Sequence, residues 1–163
     1  LLLSPYVPLL FMGEEYGEPQ PFQFFTDHIE KKIAEATRKG RRKEFEAFVD
    51  FAAEVPDPQN PETFRRSKLS RREDPQIAAL YRRLFELRAE LRGSAVEEVE
   101  FDEEERWLRL RRGPVEIVCN FAAGERSVPC AATEVVLATH GEHGAEADGG
   151  TVVLPALGGA VLR

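Results

Sequence analysis

A short apolar run that ends in glycine and adjacent carboxylates constrains the fold of this chain more than any other feature. The run is Leu9-Leu10-Phe11-Met12, and Gly13-Glu14-Glu15 follows it directly. A run that is apolar at every position is typical of a strand covered on both faces, as in parallel sheets. We therefore predict a strand over residues 6–12, with polar groups at its C-terminal end. Parallel α/β barrels carry their active sites at that edge.

Aromatic and polar side chains continue along the same predicted rim. Phe24 and Phe25 come shortly before Asp27 and His28. Flat rings can cover the faces of sugars, and carboxylates accept hydrogen bonds from hydroxyl groups, so this composition favours a carbohydrate pocket. The candidate substrate-binding residues are Glu14, Glu15, Phe24, Phe25, Asp27 and His28.

Most of these candidates also have a structural alternative. One of Glu14 and Glu15 can simply hold the rim through a salt bridge or a backbone hydrogen bond. Asp27 begins a capping-box spacing, which favours a helix cap over a ligand. Phe24 and Phe25 can pack the segment that follows, with at most one of them touching a ligand.

The two adjacent carboxylates are not expected to be a catalytic pair. A glycosidase needs two carboxyl groups that face one bond, about 5 to 9.5 Å apart. Glu14 and Glu15 are consecutive, so on an extended backbone their side chains point to opposite sides. If the chain belongs to a barrel enzyme, it supplies one wall of the site, and no catalytic residue is expected within it.

Helical patterns follow the predicted strand. Residues 27–52 are predicted to form a helical insertion, whose first helix is capped by Asp27 and ended by Gly40. Three prolines within residues 55–61 predict an extended, turn-rich connection. Apolar residues at helical spacing then predict a helix over residues 75–92, with Pro at its first position.

The spacing of apolar residues changes to two from about Ala95 onward, which is typical of strands. An acidic connection separates the first two strands of this region. Glu98 and Glu100 should therefore face Arg109 and Arg111 across a hairpin.

The fold class that follows is α+β with two domains. Residues 1–93 are predicted to be the last βα unit of a (β/α)8 barrel with a helical insertion. Residues 94–163 are predicted to be a small antiparallel β-sandwich. The chain has no initiator Met and opens in an apolar run, so we expect it to be a piece of a longer protein whose preceding barrel is its partner.

Charge and composition exclude several classes of function. The net charge of −7 argues against a general nucleic-acid binder, and the apolar start is too short to span a membrane. Cys119 and Cys130 match no zinc spacing, and a hairpin could bring them together as a disulfide. Reduced, buried thiols are the favoured interpretation, which predicts a cytoplasmic protein. His140 and His143 lie in a glycine-rich turn with no further cluster nearby, so no metal or other cofactor is predicted.

A lone tryptophan offers a second place where sugar could bind. Trp107 lies at the start of a predicted strand beside Leu108. It is either a glucan-binding platform on the sandwich or, more typically of such a position, part of the sheet packing.

The rim motif resembles a known family. Phe11-Met12-Gly13-Glu14-Glu15-Tyr16-Gly17-Glu18 is similar to the last barrel strand and its rim in the α-amylase family of glycoside hydrolases. The continuation Pro21-Phe22-Gln23-Phe24-Phe25-Thr26-Asp27-His28 resembles the branch of that family that acts on trehalose-terminated glucans. The likeness covers essentially the whole chain, but it is specific only up to about residue 70.

The resemblance implies a function as well as a fold. It implies a retaining hydrolase that cleaves the α-1,4 bond next to the trehalose end of a glucan, with its three catalytic carboxylates on earlier barrel strands. The alternatives are part of a glucan branching enzyme and a non-catalytic glucan-binding or structural module. Exposure of Trp107 would favour the binding module, and its burial would count against it.

Overall fold

The computed structural model describes residues 1–46, 55–141, 144–148 and 150–163. It contains two compact units. The first unit combines Leu1–Leu10 with Gln76–Arg163, and the second unit is Phe11–Pro75. This division by contacts differs from the predicted domain boundary at residue 93, which stays a prediction about the longer protein.

Among its described residues, the second unit contains two α-helices, and the turn-rich residues 55–60 lead into the second of them. Helix α1 is Lys31–Glu46 and helix α2 is Pro61–Arg66. Gly40 lies inside α1, so the predicted helix end at this residue is wrong. The second helix predicted within residues 27–52 falls on residues 47–54, outside the described residues.

The short helix α2 was not predicted, although its start carries a recognisable signal. The side chain of Asn60 accepts a hydrogen bond from the N–H of Glu62 at 2.9 Å, and Pro61 occupies the first turn. Both features are typical of a helix N-terminus.

The strand predicted over residues 6–12 is not present in the structure. Residues 7–11 have no regular secondary structure, and Val7 and Leu9 are exposed. A strand is held by backbone hydrogen bonds to a neighbouring strand. No described residues pair with this segment, so its apolar sequence alone does not make it a strand.

Helix α3, Pro75–Glu90, confirms the helix predicted from apolar spacing. Its Leu87, together with Leu91 just beyond it, is fully buried. Both contribute to a core cluster with Leu3, Val115 and Val161. The helix therefore packs on the sheet of its own unit through one apolar face.

Eight antiparallel strands follow α3 among the described residues of the first unit. Five form one sheet in the order β1-β2-β3-β8-β5, and three form a second sheet in the order β4-β7-β6. The strands are β1 Val96–Asp102, β2 Trp107–Arg112, β3 Val115–Asn120, β4 Arg126–Pro129, β5 Val135–Ala138, β6 Glu146–Ala147, β7 Thr151–Leu154 and β8 Gly159–Leu162. The antiparallel sheets predicted from the period-two pattern are thus present.

The β1–β2 register confirms the predicted charge pairing. Glu98 lies opposite Arg111, and Glu100 lies opposite Arg109. The guanidinium of Arg109 is 2.8 Å from the Glu100 carboxylate and 3.2 Å from the carboxylate of Glu116 on β3. Three strands are therefore joined by one arginine.

The sandwich core contains Val118, Val128, Val152 and Leu154, and Trp107 packs against it as a partly buried ring. Cys119 and Cys130 are both free thiols. Burial raises the pKa of both thiols, which keeps them protonated.

Two arginines hold the first residues of the chain. Buried Arg112 donates hydrogen bonds to the backbone carbonyls of Leu3 and Ser4 at 2.9 and 3.0 Å. Arg88 on α3 donates to the carbonyls of Ser4 and Tyr6 at 3.1 and 2.9 Å. The segment lacks strand pairing, and these side chains supply its hydrogen bonds instead.

None of the helices within the described ranges is long and apolar enough to cross a membrane.

Candidate functional site

The rim predicted from the Gly-Glu-Glu motif is a 3₁₀ turn over Glu14–Tyr16. Glycines in the left-handed region flank it, Gly13 at φ 95° and Gly17 at φ 70°. A residue with a side chain is strained in that region, so the two glycines set the path of the turn.

The two rim carboxylates are exposed and bind the backbone of their own turn. Glu14 accepts a hydrogen bond from the N–H of Phe11 at 3.1 Å, and Glu15 accepts one from the N–H of Gly13 at 3.0 Å. This is the backbone role foreseen as an alternative to substrate contact. Each carboxylate has a second oxygen with which it can accept hydrogen bonds from a ligand hydroxyl.

Sequence reasoning missed the most highly connected carboxylate of the rim. Glu18 accepts hydrogen bonds from the hydroxyl of Ser70 at 2.8 Å, from the N–H of Arg71 at 3.0 Å and from the N–H of Gln20 at 3.0 Å. Desolvation opposes ionisation of Glu18, but these hydrogen bonds outweigh it and lower its pKa to about 2. Ser70 and Arg71 are more than fifty positions away from Glu18 in the sequence, so no local sequence pattern predicts these hydrogen bonds.

A row of phenylalanine rings extends from this turn. The ring centres of Phe11 and Phe22 are 5.0 Å apart, those of Phe22 and Phe25 are 6.4 Å apart, and those of Phe25 and Phe64 are 5.1 Å apart. All three pairs meet edge to face, a favourable geometry for aromatic rings. All four rings remain partly exposed, from 37% for Phe25 to 56% for Phe22.

A small cavity of about 220 Å³ lies beside the turn. Its lining includes Glu14, Glu18 and the rings of Phe11 and Phe22. Of the predicted site residues, only Glu14 lines it. Phe24 faces a different cavity, next to helix α1.

The segment that carries Asp27 and His28 is held by the turn-rich connection. The side-chain carbonyl of Gln59 accepts a hydrogen bond from the N–H of His28 at 3.2 Å. The carbonyl of Pro58 accepts one from the N–H of Thr26 at 2.8 Å. These bonds fix the backbone and leave the His28 ring without a hydrogen-bond partner among the described residues.

Asp27 is exposed and does not cap a helix. Helix α1 begins only at Lys31, four residues later, so the predicted cap is wrong. Asp27 and Glu30 have the spacing of a capping box, but residues 29–30 form a bend and not a first helical turn. The side chain of Asp27 has no hydrogen-bond partner within the described part of the chain.

An ion pair ties α1 to the same connection. Arg38 donates through Nε to the carboxylate of Asp57 at 2.9 Å. This hydrogen bond lowers the pKa of Asp57 and raises that of Arg38. Asp57 also accepts from the N–H of Gln59 at 3.0 Å, so one carboxylate positions both the helix and the connection.

The described residues hold no group of three His, Cys, Asp or Glu side chains that would bind a metal ion. Of the glycine-rich turn with two histidines, His143 lies outside the described residues. What the second unit offers chemically is a set of exposed rings, the three carboxylates of Glu14, Glu15 and Asp27, and an imidazole, which suits binding of a polyhydroxyl ligand.

Comparison with known proteins relates the chain, over almost its whole length, to a group of named enzymes. The chain is 46% identical over 99% of its length to the malto-oligosyltrehalose trehalohydrolase of Rhizobium sp. (strain M-11), covering 28% of that enzyme. It is 42% identical over 99% of its length to the malto-oligosyltrehalose trehalohydrolase of Brevibacterium helvolum, covering 29% of it. The chain is a relative of the malto-oligosyltrehalose trehalohydrolases. It spans less than a third of the length of these curated relatives.

Two further comparisons agree with this family. The domain family described as "Domain of unknown function (DUF3459)" matches residues 92–161, which are the β-sheet region. The crystal structure of an alpha-amylase candidate from Salmonella typhimurium matches 99% of the chain and 29% of its own, with a TM-score of 0.64 at 31% identity. The resemblance of the chain to the α-amylase family, and within it to the trehalohydrolases, is therefore confirmed.

The tryptophan on the sandwich can also be weighed. Trp107 packs against the sandwich core and is only partly exposed. A glucan-binding module would need an open ring face for a sugar. The packing role foreseen for Trp107 is therefore the better supported one.

Proposed function

We propose that this chain is part of a cytoplasmic enzyme that hydrolyses the α-1,4 bond next to the trehalose end of malto-oligosyltrehalose and releases trehalose. The observation that carries the proposal is the 46% identity to a malto-oligosyltrehalose trehalohydrolase over 99% of the chain. Such a similarity extends through the rim, the helical segment and the sheets alike, so it is not limited to a shared accessory domain.

The chain's part in that reaction is to bind substrate. Because it covers 28% of the Rhizobium relative, the barrel strands that carry the nucleophile, the acid-base and the third carboxylate of a retaining hydrolase lie elsewhere in the proposed enzyme. The 163 residues alone are expected to be inactive. Residues 1–93 complete the barrel, and residues 94–163 form its accessory domain.

The proposed substrate contacts are the rim carboxylates, the rings and the polar pair beyond them. Glu14 and Glu15 each have an oxygen with which to accept from sugar hydroxyls, and Asp27 and His28 have side chains without partners in the described part. Exposed rings at Phe24 and Phe25 supply apolar surface for sugar faces. Displacement of water from the rings favours association, and hydrogen bonds to the sugar hydroxyls offset the cost of removing water from the polar groups.

The test is product analysis with the gene product that carries these residues. Purified protein is incubated with maltotriosyltrehalose and, separately, with amylose, and free trehalose and new α-1,6 linkages are quantified. Release of trehalose with no gain of α-1,6 linkages supports the proposal. Formation of α-1,6 branches without trehalose release would assign the chain to a branching enzyme instead.

A further inference from the structure

A second cavity, of about 330 Å³, lies beside helix α1 within the second unit. Its lining includes Gln23, Phe24, Arg41 and Phe45. Pockets for small ligands range from about 300 to 1,000 Å³, so this cavity lies at the lower end of that range and has room for a sugar ring.

Arg41 is held between two aromatic rings at this cavity. Its guanidinium carbon lies 4.8 Å from the ring centre of Phe24 and 4.7 Å from that of Phe45. Stacking of this kind fixes the plane of the guanidinium, and the N–H groups at its edge remain available as hydrogen-bond donors. One edge nitrogen donates to Glu44 at 2.6 Å, and the other N–H groups have no acceptor among the described residues.

The pairing with Glu44 also decides which ligand fits. The Glu44 carboxylate neutralises the positive charge of Arg41, so the cavity has no unpaired positive charge from this residue to attract an anion. A neutral ligand with hydroxyl groups uses the remaining N–H donors and packs its apolar face on the rings.

Gln23 contributes an acceptor to the same lining. Its side-chain oxygen Oε1 is buried and has no hydrogen-bond partner among the described residues. Buried polar atoms are seldom left without a partner, because an unmade hydrogen bond costs free energy. A turn of this side chain toward the cavity would let a hydroxyl group bound next to Arg41 supply the missing donor.

We propose that this Arg41 cavity is a binding site for one glucose unit of the α-glucan chain, away from the bond that is cleaved. The role that we assign to the cavity is binding, since its described lining offers rings, a guanidinium and an amide. This inference rests on the proposed function, because it takes its ligand class from it. It adds Gln23, Arg41 and Phe45 to the residues that contact substrate.

The test compares substrates of different glucan length in the gene product that carries these residues. Arg41→Met removes the donors, and Gln23→Met removes the acceptor while keeping the size of the side chain. For long malto-oligosyltrehaloses we expect KM to rise roughly tenfold, the effect of losing one hydrogen bond from a charged donor, with kcat little changed. The proposal places the cavity beyond the reach of the shortest cleavable substrate, so for that substrate KM should stay the same.

Matched measurements separate this effect from a loss of structure. Arg42→Met changes a neighbouring exposed arginine that does not line the cavity, and it should leave KM unchanged at every length. Gln23→Met should fold at least as well as the parent, because it removes a buried acceptor without a partner. An unchanged KM for long substrates in both cavity variants would overturn the proposal.

A direct measurement of glucan binding tests the cavity separately from the proposed reaction. Calorimetry with maltohexaose is run on the parent, on Arg41→Met and on Arg42→Met. If no trehalose is released but maltohexaose binds about tenfold more weakly to Arg41→Met alone, the cavity is a glucan site and the proposed reaction fails. If Arg41→Met binds maltohexaose as the parent does, or if inorganic phosphate competes with maltohexaose, the glucose site is refuted.

Discussion

The carboxylate of Glu18 accepts a hydrogen bond from the hydroxyl of Ser70 at 2.8 Å, although the two residues are 52 positions apart. The same carboxylate accepts from the N–H of Arg71 at 3.0 Å and from the phenol of Tyr16 at 3.2 Å. The turn that carries Glu14 and Glu15 is thereby fastened to a distant loop of the same unit.

Replacing Glu18 by Gln should loosen the rim. The amide presents donors to the hydroxyl and N–H groups that now donate to the carboxylate, so some of these hydrogen bonds are lost. We expect KM for trehalose release to rise severalfold, with a smaller change in kcat, measured by steady-state kinetics. Glu97→Gln is the matched control, since Glu97 lies on the sandwich, and an equal rise in KM in both variants would contradict the role of Glu18.

The same carboxylate predicts a change of stability with acid. The pKa of Glu18 is about 2 in the folded protein against an ordinary value of 4.5. A lowered folded-state pKa contributes stability that is complete above pH 4.5 and is lost as the pH falls toward 2. Denaturation curves at several pH values should therefore show a smaller fall over this window in Glu18→Gln than in the parent. Identical slopes for the two proteins would exclude the contribution.

Two glycine substitutions should have opposite effects. At Gly13, φ is 95° and an added Cβ would lie 2.6 Å from the Cβ of Glu18, so Gly13→Ala should cost at least about 1 to 2 kcal/mol. At Gly40, inside α1, nothing lies within 4 Å of an added Cβ, so Gly40→Ala should stabilise by about 0.5 to 1 kcal/mol. Urea denaturation of both variants tests the pair, and a destabilised Gly40→Ala would contradict the helix through this residue.

A third comparison concerns two arginines of the same strand. The Arg109 side chain is 12% exposed and contacts Glu116, which is 7% exposed, whereas Arg111 is 49% exposed. Arg109→Met leaves a buried carboxylate without its cation and should cost about 3 kcal/mol. Arg111→Met should cost less than about 1 kcal/mol, because exposed ion pairs contribute little. If both variants lost the same free energy of unfolding, burial of the ion pair would not determine how much it contributes to stability.

Trp107 should matter for folding and not for glucan binding. Its ring packs on the sandwich core, so Trp107→Ala should destabilise by about 2 kcal/mol, below the cost of a fully buried ring. Affinity for maltohexaose, measured by calorimetry at a temperature where the variant is folded, should match the parent. A loss of affinity for maltohexaose with unchanged stability would support the alternative in which the sandwich is a glucan-binding module.

Local sequence signals predicted the parts of this fold that local contacts build. Pro75 and the apolar stripe behind it gave the bounds of α3 to within two residues at its end. The alternation around Glu98 and Glu100 gave the register of the first hairpin, because period-two spacing fixes which side chains share a face.

Contacts between distant residues explain what the sequence did not reveal. Strand β6 is only two residues long and exists through its pairing with Val152 and Val153 on β7. The apolar run at residues 6–12 carried a strand pattern, but without a paired neighbour it has no strand structure. At the site, the role of Glu18 depends on Ser70 and Arg71, which folding brings next to it. Phe24 and His28 were recognisable by residue type alone.

The most direct measurement compares the isolated 163-residue chain with the gene product that carries it. Both are assayed at equal molar concentration for trehalose released from maltotriosyltrehalose. We predict release by the gene product and none by the isolated chain, because the chain supplies substrate contacts and the catalytic carboxylates lie elsewhere. Turnover by the isolated chain, or a gene product that releases no trehalose, would contradict this assignment.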